Sequence, residues 1–260
     1  MKHKSQKGGL TLSLILILSI LFCGIKFIKH EKSQQDRISS LEGKVSLLQA
    51  ERSKSTIDWS SDDYNYLAIG NSITIHSLNE YWWNECGMAA TTEDNDYVHH
   101  VASSLDAKFY AYNFATWEMM GHDREEALSL LDGLLSDELD LVTIQLSENL
   151  SDLSTFEPDF EELIRYVQKG APNAQLLVIG DFWDKGQKDN MKQQACEETE
   201  VKYISLDEIK AMDQYQCGMK TTVYDSDGNP HTVEHSGVAR HPGDAGMKWI
   251  ADQIIEAVKE

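Results

Sequence analysis

Three short clusters in this 260-residue chain combine side chains that could carry out nucleophilic chemistry; two directly follow β-rich runs and the third precedes the last helical pattern. The first is Ile69-Gly70-Asn71-Ser72-Ile73-Thr74. A glycine directly after a strand permits a sharp turn, and a serine on that turn can project its hydroxyl over the sheet edge. A helix expected to follow would aim its free N–H groups at the same place, where a developing oxyanion needs donors. The second cluster is Gln145-Leu146-Ser147-Glu148-Asn149. The side-chain amide of Asn149 could serve an oxyanion, or it could simply cap a turn. The third is Arg240-His241-Pro242-Gly243-Asp244, in which Pro242 and Gly243 fix a tight loop at the entrance of the last helical pattern. A serine hydroxyl is too weak an acid to act alone, so a nearby imidazole such as His241 is the partner it requires. His231 and His235 read as loop histidines without an evident partner. Taken singly, Asn71-Ser72 is equally a strand cap.

The elements that must position these residues are legible from hydrophobic patterning. Apolar runs at Tyr66–Ile69, Lys108–Tyr112, Leu141–Leu146, Gln175–Ile179 and Val201–Ser205 predict strands. Amphipathic patterns at Tyr97–Leu105, Arg124–Leu135, Phe160–Val167 and Ala245–Val258 predict helices. Strands apolar on both faces and separated by helices form parallel sheets covered on both sides. One α/β domain over 58–260 accommodates them all. In such open sheets, ligands sit beyond the carboxyl ends of the strands, where all three clusters fall.

A Gly-x-Ser after the first strand, an x-x-Asn after the third and His-Pro-x-Asp-x-Gly before the last helix together resemble the sequence blocks of the SGNH (GDSL-like) hydrolases. The resemblance runs from about Tyr64 to the C-terminus. It implies a three-layer, flavodoxin-like sandwich with a five-stranded parallel sheet. It also implies catalytic roles: Ser72 as nucleophile, His241 as general base and then acid, and Asn149 with the Ser72 N–H in an oxyanion hole. No metal and no cofactor is implied.

Two positions depart from the family pattern. The acid that usually stands three residues before the histidine is replaced by Val238, and the glycine of the second block falls near Glu118. That acid normally orients the imidazole and stabilises its charged form. Three arrangements answer its absence: a Ser–His dyad held by a backbone carbonyl, a substitute carboxylate from Glu118 or Glu234, or loss of catalysis. Glu118 also fits a loop-bracing pair with Arg124. Tryptophans at 82, 83, 117 and 183 fall where this fold places its active-site rim, and indole faces suit sugar rings, although tryptophans in such places are often core. Trp82, Trp83, Trp117 and Trp183 are therefore candidate substrate-binding residues.

Charge is unevenly spread over the chain, whose net charge is −20. Residues 1–54 hold ten Lys/Arg against four Asp/Glu, leaving 13 against 39 in the remainder, about −26. So acidic a body repels a phosphate backbone, so no nucleic-acid partner is expected. Of four cysteines, Cys23 lies in the apolar N-terminus. Cys196 and Cys217 could pair in an oxidising compartment, while the odd count left over fits free thiols equally. The uncharged run Gly8–Ile25 is just long enough to span a bilayer, and no small-x-small cleavage site follows it. It predicts a single-pass anchor over 1–29, with a helical stalk over 30–57. The expectation from sequence is thus a membrane-anchored, extracytoplasmic serine esterase acting on an acylated carbohydrate or another small ester. An O-acetyltransferase of cell-surface glycans and a catalytically silent glycan-binding domain are the alternatives.

Overall fold

The computed structural model describes residues 57–150, 152–183, 186–210 and 212–260, all within one compact unit. The expected membrane span and stalk lie outside these residues. Among the described residues no helix is long and apolar enough to cross a membrane.

Five strands form one parallel sheet: β1 (Tyr64–Gly70), β2 (Ala107–Asn113), β3 (Leu141–Gln145), β4 (Gln175–Ile179) and β5 (Lys202–Ile204). Their order is β2-β1-β3-β4-β5, so the chain reverses direction across the sheet at β1 and β3. Central β1 and β3 are buried along almost their whole length, whereas edge strands β2 and β5 are mostly only half-buried. That difference is why the central strands read as unbroken apolar runs.

Helices cover both faces. On one side α1 (Tyr97–Leu105) packs against the C-terminal helix α7 (Asp244–Lys259). Tyr66, Ala68, Leu141, Leu177 and Ile179 point into that layer with Val98, Val101, Ile250 and Ile254. Short helices α2 (Ala115–Met119) and α3 (Arg124–Ala127) precede β3. The remaining long helices, α4 (Phe156–Gly170) and α5 (Gln187–Thr199), pack against each other. A small hairpin, β6 (Thr222–Tyr224) and β7 (Pro230–Thr232), leads to a helical turn α6 (Ser236–Ala239) just before His241.

Several expectations require correction. The helix expected over Arg124–Leu135 is one α-helical turn followed by a 3-10 segment at Leu128–Leu131. No helix follows Ser72. Residues 71–75 instead close a single turn, with Thr74 N–H and Ile75 N–H both donating to the Asn71 carbonyl at 3.0 Å. Cys196 and Cys217 are both free, as is Cys86.

Helix α5 escaped notice because its inward stripe is polar. Its buried positions are Asp189, Lys192, Ala195, Cys196 and Thr199, of which only Ala195 and Cys196 are apolar. Lys192 is fully buried, and its ammonium donates to the Leu146 carbonyl at 2.8 Å and the Ile179 carbonyl at 2.5 Å. It therefore ties together the carboxyl ends of β3 and β4, with the charge of Asp181 near it. Removing one member of a buried charge group leaves the others uncompensated. Lys192→Met is accordingly expected to lower stability by about 3 kcal/mol in urea unfolding. A loss under about 1 kcal/mol would show that the lysine contributes only packing.

Candidate active site

The sheet register brings the three clusters level. Gly70 pairs with Asn113 of β2 and with Gln145 of β3, so the three strands end at one line. Gly70 has to be glycine: a Cβ there would run into the Thr74 hydroxyl and lie 2.8 Å from the Gln145 carbonyl oxygen. The turn that follows is pinned by the Asn71 side chain, whose Oδ1 accepts from Ile73 N–H at 3.1 Å. Ser72 is lifted onto this turn at the strand ends.

His241 arrives from the opposite end of the sequence on a loop zipped to the segment 215–218. Cys217 N–H donates to the His241 carbonyl at 2.9 Å, Gly218 N–H to Ala239 at 2.8 Å and Gly243 N–H to Tyr215 at 2.9 Å. The backbones approach so closely that a Cβ on Gly243 would stand 2.8 Å from Cys217 Cα. The ring is fixed at both nitrogens. Nε2 lies 2.8 Å from Ser72 Oγ, and Nδ1 lies 2.8 Å from the carbonyl oxygen of Gly237. A carbonyl can only accept, so Nδ1 carries the proton and the Nε2 lone pair faces the serine. That tautomer is the one able to take a proton from a hydroxyl.

No carboxylate touches this imidazole among the described residues. Val238, where the acid would stand, is buried among Trp82, Val223 and Val233. Glu234 is exposed and pairs with Lys220 at 2.7 Å. Glu118 is buried on the other side of the site. The geometry is therefore that of a Ser–His pair held by a backbone carbonyl. Burial pushes the His241 imidazole down to about 4, opposed by the Gly237 hydrogen bond and assisted by the nearby His76, Arg240 and His235.

Glu118 instead organises the strand ends. Its Oε2 accepts from Asn149 Nδ2 at 2.6 Å, and its Oε1 accepts from Ser147 N–H at 2.6 Å, Asn71 Nδ2 at 3.2 Å and Asn149 N–H at 3.4 Å. The expected pair with Arg124 does not form. Arg124 bonds Asp159 at 2.6 Å and stacks over Trp117, 5.3 Å from the ring centroid. Asn149 is exposed, and one of its two amide hydrogens is committed to Glu118, leaving the other for a ligand. Ser147 takes a φ of 127°, a strained value for a residue with a side chain, costing about 1–3 kcal/mol. Its N–H on Glu118 and its hydroxyl on Asp181 at 3.0 Å hold it there.

Behind Asn71 lies Glu148, which accepts from Asn71 Nδ2 and Gln145 Nε2, both at 2.6 Å, and from Phe182 N–H at 3.2 Å. Desolvation first, then the charges of Asp181 and Glu118, raise its carboxyl well above the ordinary range, while Lys192 opposes them. Neither Ser147 nor Glu148 stood out in the sequence, because a serine and a glutamate after a strand match any loop. Gly237 left no sequence signal at all, since its contribution is a backbone atom.

The four tryptophans separate. Trp183 lies edge-on to His241, with centroids 4.8 Å apart, and its Nε1 donates to the Arg240 carbonyl at 3.0 Å. Trp83 is half-buried and stacked on His231 at 4.5 Å. Trp82 and Trp117 are core residues, at 1% and 0% exposure, and are removed from the candidate substrate-binding set. Trp117 meets Phe156 and Phe160 edge to face. The two loop histidines also have partners: His231 bonds Asp225 at 3.0 Å, and His235 stacks on Tyr81 at 4.4 Å.

The tautomer and burial of His241 are directly measurable. In an NMR titration its imidazole should titrate near 4 and stay there in Glu118→Gln and Glu234→Gln. A midpoint near 6.5, or a change of about one unit in either variant, would mean that a carboxylate reaches the ring.

No family model and no curated protein matches this sequence. Solved structures do match by shape. One, a protein from Bacteroides ovatus named a GDSL-like lipase, has a TM-score of 0.50 at 14% identity, covering 75% of this chain and 98% of that one. A family two carbohydrate esterase from Clostridium thermocellum, in complex with cellohexaose, has a TM-score of 0.49 at 16% identity over 75% of this chain and 63% of that one. A two-domain esterase active on acetylated mannans has a TM-score of 0.47 at 20% identity over 82% and 52%. The likeness to the Bacteroides ovatus structure, together with strand order β2-β1-β3-β4-β5, gives this chain the fold of the GDSL-like hydrolases.

Proposed function

We propose that this protein is an extracytoplasmic serine esterase that removes acetyl or another small acyl group from a carbohydrate. The observation that carries the reading is the Ser72 hydroxyl 2.8 Å from an imidazole nitrogen whose opposite nitrogen is bonded to a carbonyl. In the reaction, Ser72 Oγ attacks the ester carbonyl carbon as His241 Nε2 takes its proton. The carbonyl oxygen becomes an oxyanion, received by the free amide hydrogen of Asn149 and by the Ser72 N–H, which donates to no acceptor among the described residues. The C–O bond to the sugar then breaks, and His241 returns the proton to the departing sugar oxygen. Water, deprotonated by the same imidazole, then attacks the acyl carbon, the bond to Ser72 Oγ breaks, His241 returns the proton to that oxygen, and the carboxylic acid departs. Electrons and protons balance within Ser72, His241, ester and water.

A neutral imidazole is the competent form. Because the ring is held near 4, it stays neutral throughout the ordinary pH range and gains a proton only in acid. Trp183, edge-on to His241, supports the carbohydrate part of the reading by placing an aromatic ring beside the reacting pair. Location rests on the sequence, through the uncharged run Gly8–Ile25 and the absence of a cleavage site after it.

Ser72→Ala should lower acetyl release from acetylated glycans by about 10⁴-fold or more with an unchanged melting curve. It should also abolish labelling by a fluorophosphonate probe. Near-normal turnover in that variant would end the nucleophile assignment. In the wild-type enzyme, kcat/KM should be level from neutral pH downwards and fall to half near the His241 midpoint of about 4.

For location, the expected result is full-length protein in the membrane fraction, cut by external protease between 30 and 57, the stretch joining anchor to domain. A soluble extracellular form beginning between Cys23 and Lys29 would refute the anchor.

A further inference from the structure

Near His241, on the side of His235, lies a concavity built from parts of the chain that the proposed reaction does not use. The cleft measures about 350 Å³ and is lined by Glu80, Tyr81, Trp83, Thr232, Glu234 and His235. The first three belong to the loop after the Ser72 turn, and the other three run from the last residue of strand β7 to the cap of α6. We propose that this cleft is a subsite for a neutral sugar unit, on the glycan side of the ester bond. The inference rests on the esterase reading for its place in the reaction, but its chemistry stands on the cleft itself.

The aromatic rings are fixed rather than mobile. Trp83 is backed by His231, 4.5 Å away and nearly parallel at 9°, and Tyr81 by His235, 4.4 Å away at 14°. His231 is itself anchored to Asp225 at 3.0 Å. The loop that carries the two rings is closed by Asn79, which accepts from Tyr81 N–H at 2.8 Å and donates its own N–H to the Trp82 carbonyl at 2.9 Å. Rings held in this way offer flat apolar surface without a further ordering cost on binding. The C–H faces of a pyranose match such surface.

The polar lining completes a sugar site and excludes an acidic one. Glu80 and Glu234 present acceptors for hydroxyl hydrogens, and Thr232 offers a hydroxyl. The exposed Glu234–Lys220 pair, with both side chains about 70% accessible, is weak enough to open for a ligand. His235 Nδ1 accepts from Val238 N–H at 3.4 Å, so Nε2 carries the hydrogen of the neutral ring and is a donor. The lining holds two carboxylates and neither lysine nor arginine, and the one cation bonded to it, Lys220, is paired with Glu234. The body of the chain is strongly acidic besides. A uronate or phosphorylated sugar would meet repulsion here, and a neutral sugar would not.

The cleft is joined to the reacting pair by α6. His235 caps that helical turn from the cleft side, and two residues later Gly237 supplies the carbonyl that holds His241 Nδ1. A sugar seated against Tyr81 and His235 therefore rests on the same short element that orients the imidazole.

The test measures binding to Ser72→Ala protein by calorimetry, which needs no turnover. The probes are the neutral hexasaccharides of β-linked xylose, mannose and glucose, with hexagalacturonate as the anionic counterpart. At least one neutral hexasaccharide should bind, and hexagalacturonate should not. Trp83→Ala should weaken binding about tenfold or more, the size expected for an aromatic anchor. Because Trp83 also packs against the hairpin, the double variant Glu80→Gln/Glu234→Gln, on exposed side chains, provides a second reading and should weaken binding several-fold with the melting curve unchanged. Binding of hexagalacturonate as tight as of the neutral sugars, no neutral hexasaccharide bound, or equal affinity in folded Trp83→Ala and the double variant would each overturn the subsite. Fluorophosphonate labelling of wild-type Ser72 keeps the two readings apart. Labelling without sugar binding removes the subsite alone, and sugar binding without labelling removes the esterase alone.

Discussion

The arrangement at the strand ends depends on an imidazole held between a serine hydroxyl and a peptide carbonyl, with no carboxylate behind it. A carboxylate would orient the ring and also stabilise its protonated form, whereas a carbonyl dipole orients it with a much smaller electrostatic contribution. Burial penalises the charged ring, and with no carboxylate to offset that penalty it stays neutral down to about 4. Orientation then relies on the stiffness of the backbone bearing that carbonyl. The chain meets this demand by making α6 a single helical turn capped by His235 and by stitching the following loop to residues 215–218. Gly243, against the Cys217 backbone, permits that contact.

The opposite wall of the site follows a different rule. Four acidic side chains, Glu118, Glu148, Asp181 and Asp189, gather beyond β3 and β4, and Lys188, Lys192 and Lys210 are placed among them. Buried charge is tolerated only when each group finds donors or an opposite charge. Here Glu118 is surrounded by amide donors, Asp181 and Asp189 bond lysines, and Glu148 remains the one pushed toward its protonated form. The cluster fixes Asn71, Ser147 and Asn149 in one piece. In this way the turn carrying Ser72 and the loop carrying Asn149 are tied together through Glu118, although 77 residues separate Ser72 from Asn149.

Sheet topology explains why two such different supports meet. Reversal of strand order between β1 and β3 leaves a crevice at their carboxyl ends, where loops from both halves of the chain can converge. The last helix returns beside α1 and brings the His241 loop to the same edge. The end of the hairpin β6–β7 and the segment after it supply Thr232, Glu234 and His235 to the aromatic cleft.

The sequence alone determined the strands and the order of the three clusters, because buried parallel strands must be apolar on both faces and a serine turn needs its glycine. All five strands and α1 fall within two residues of their expected bounds. What joined Ser72 to His241 across 169 residues was tertiary packing. The same packing decided that Gly237 holds the imidazole, since a backbone carbonyl looks the same in every residue type. It assigned Glu118 to Asn149 rather than to Arg124 or His241, a choice among carboxylate partners that spacing along the chain does not encode. It sent Trp82 and Trp117 into the core while leaving Trp83 and Trp183 within reach of a ligand. An indole carries the same apolar area in either place, and only the surrounding surface settles which one buries it. Helix α5 was hidden for the converse reason: its buried stripe is made of charged and polar residues that become tolerable only once β3, β4 and Asp181 are beside them.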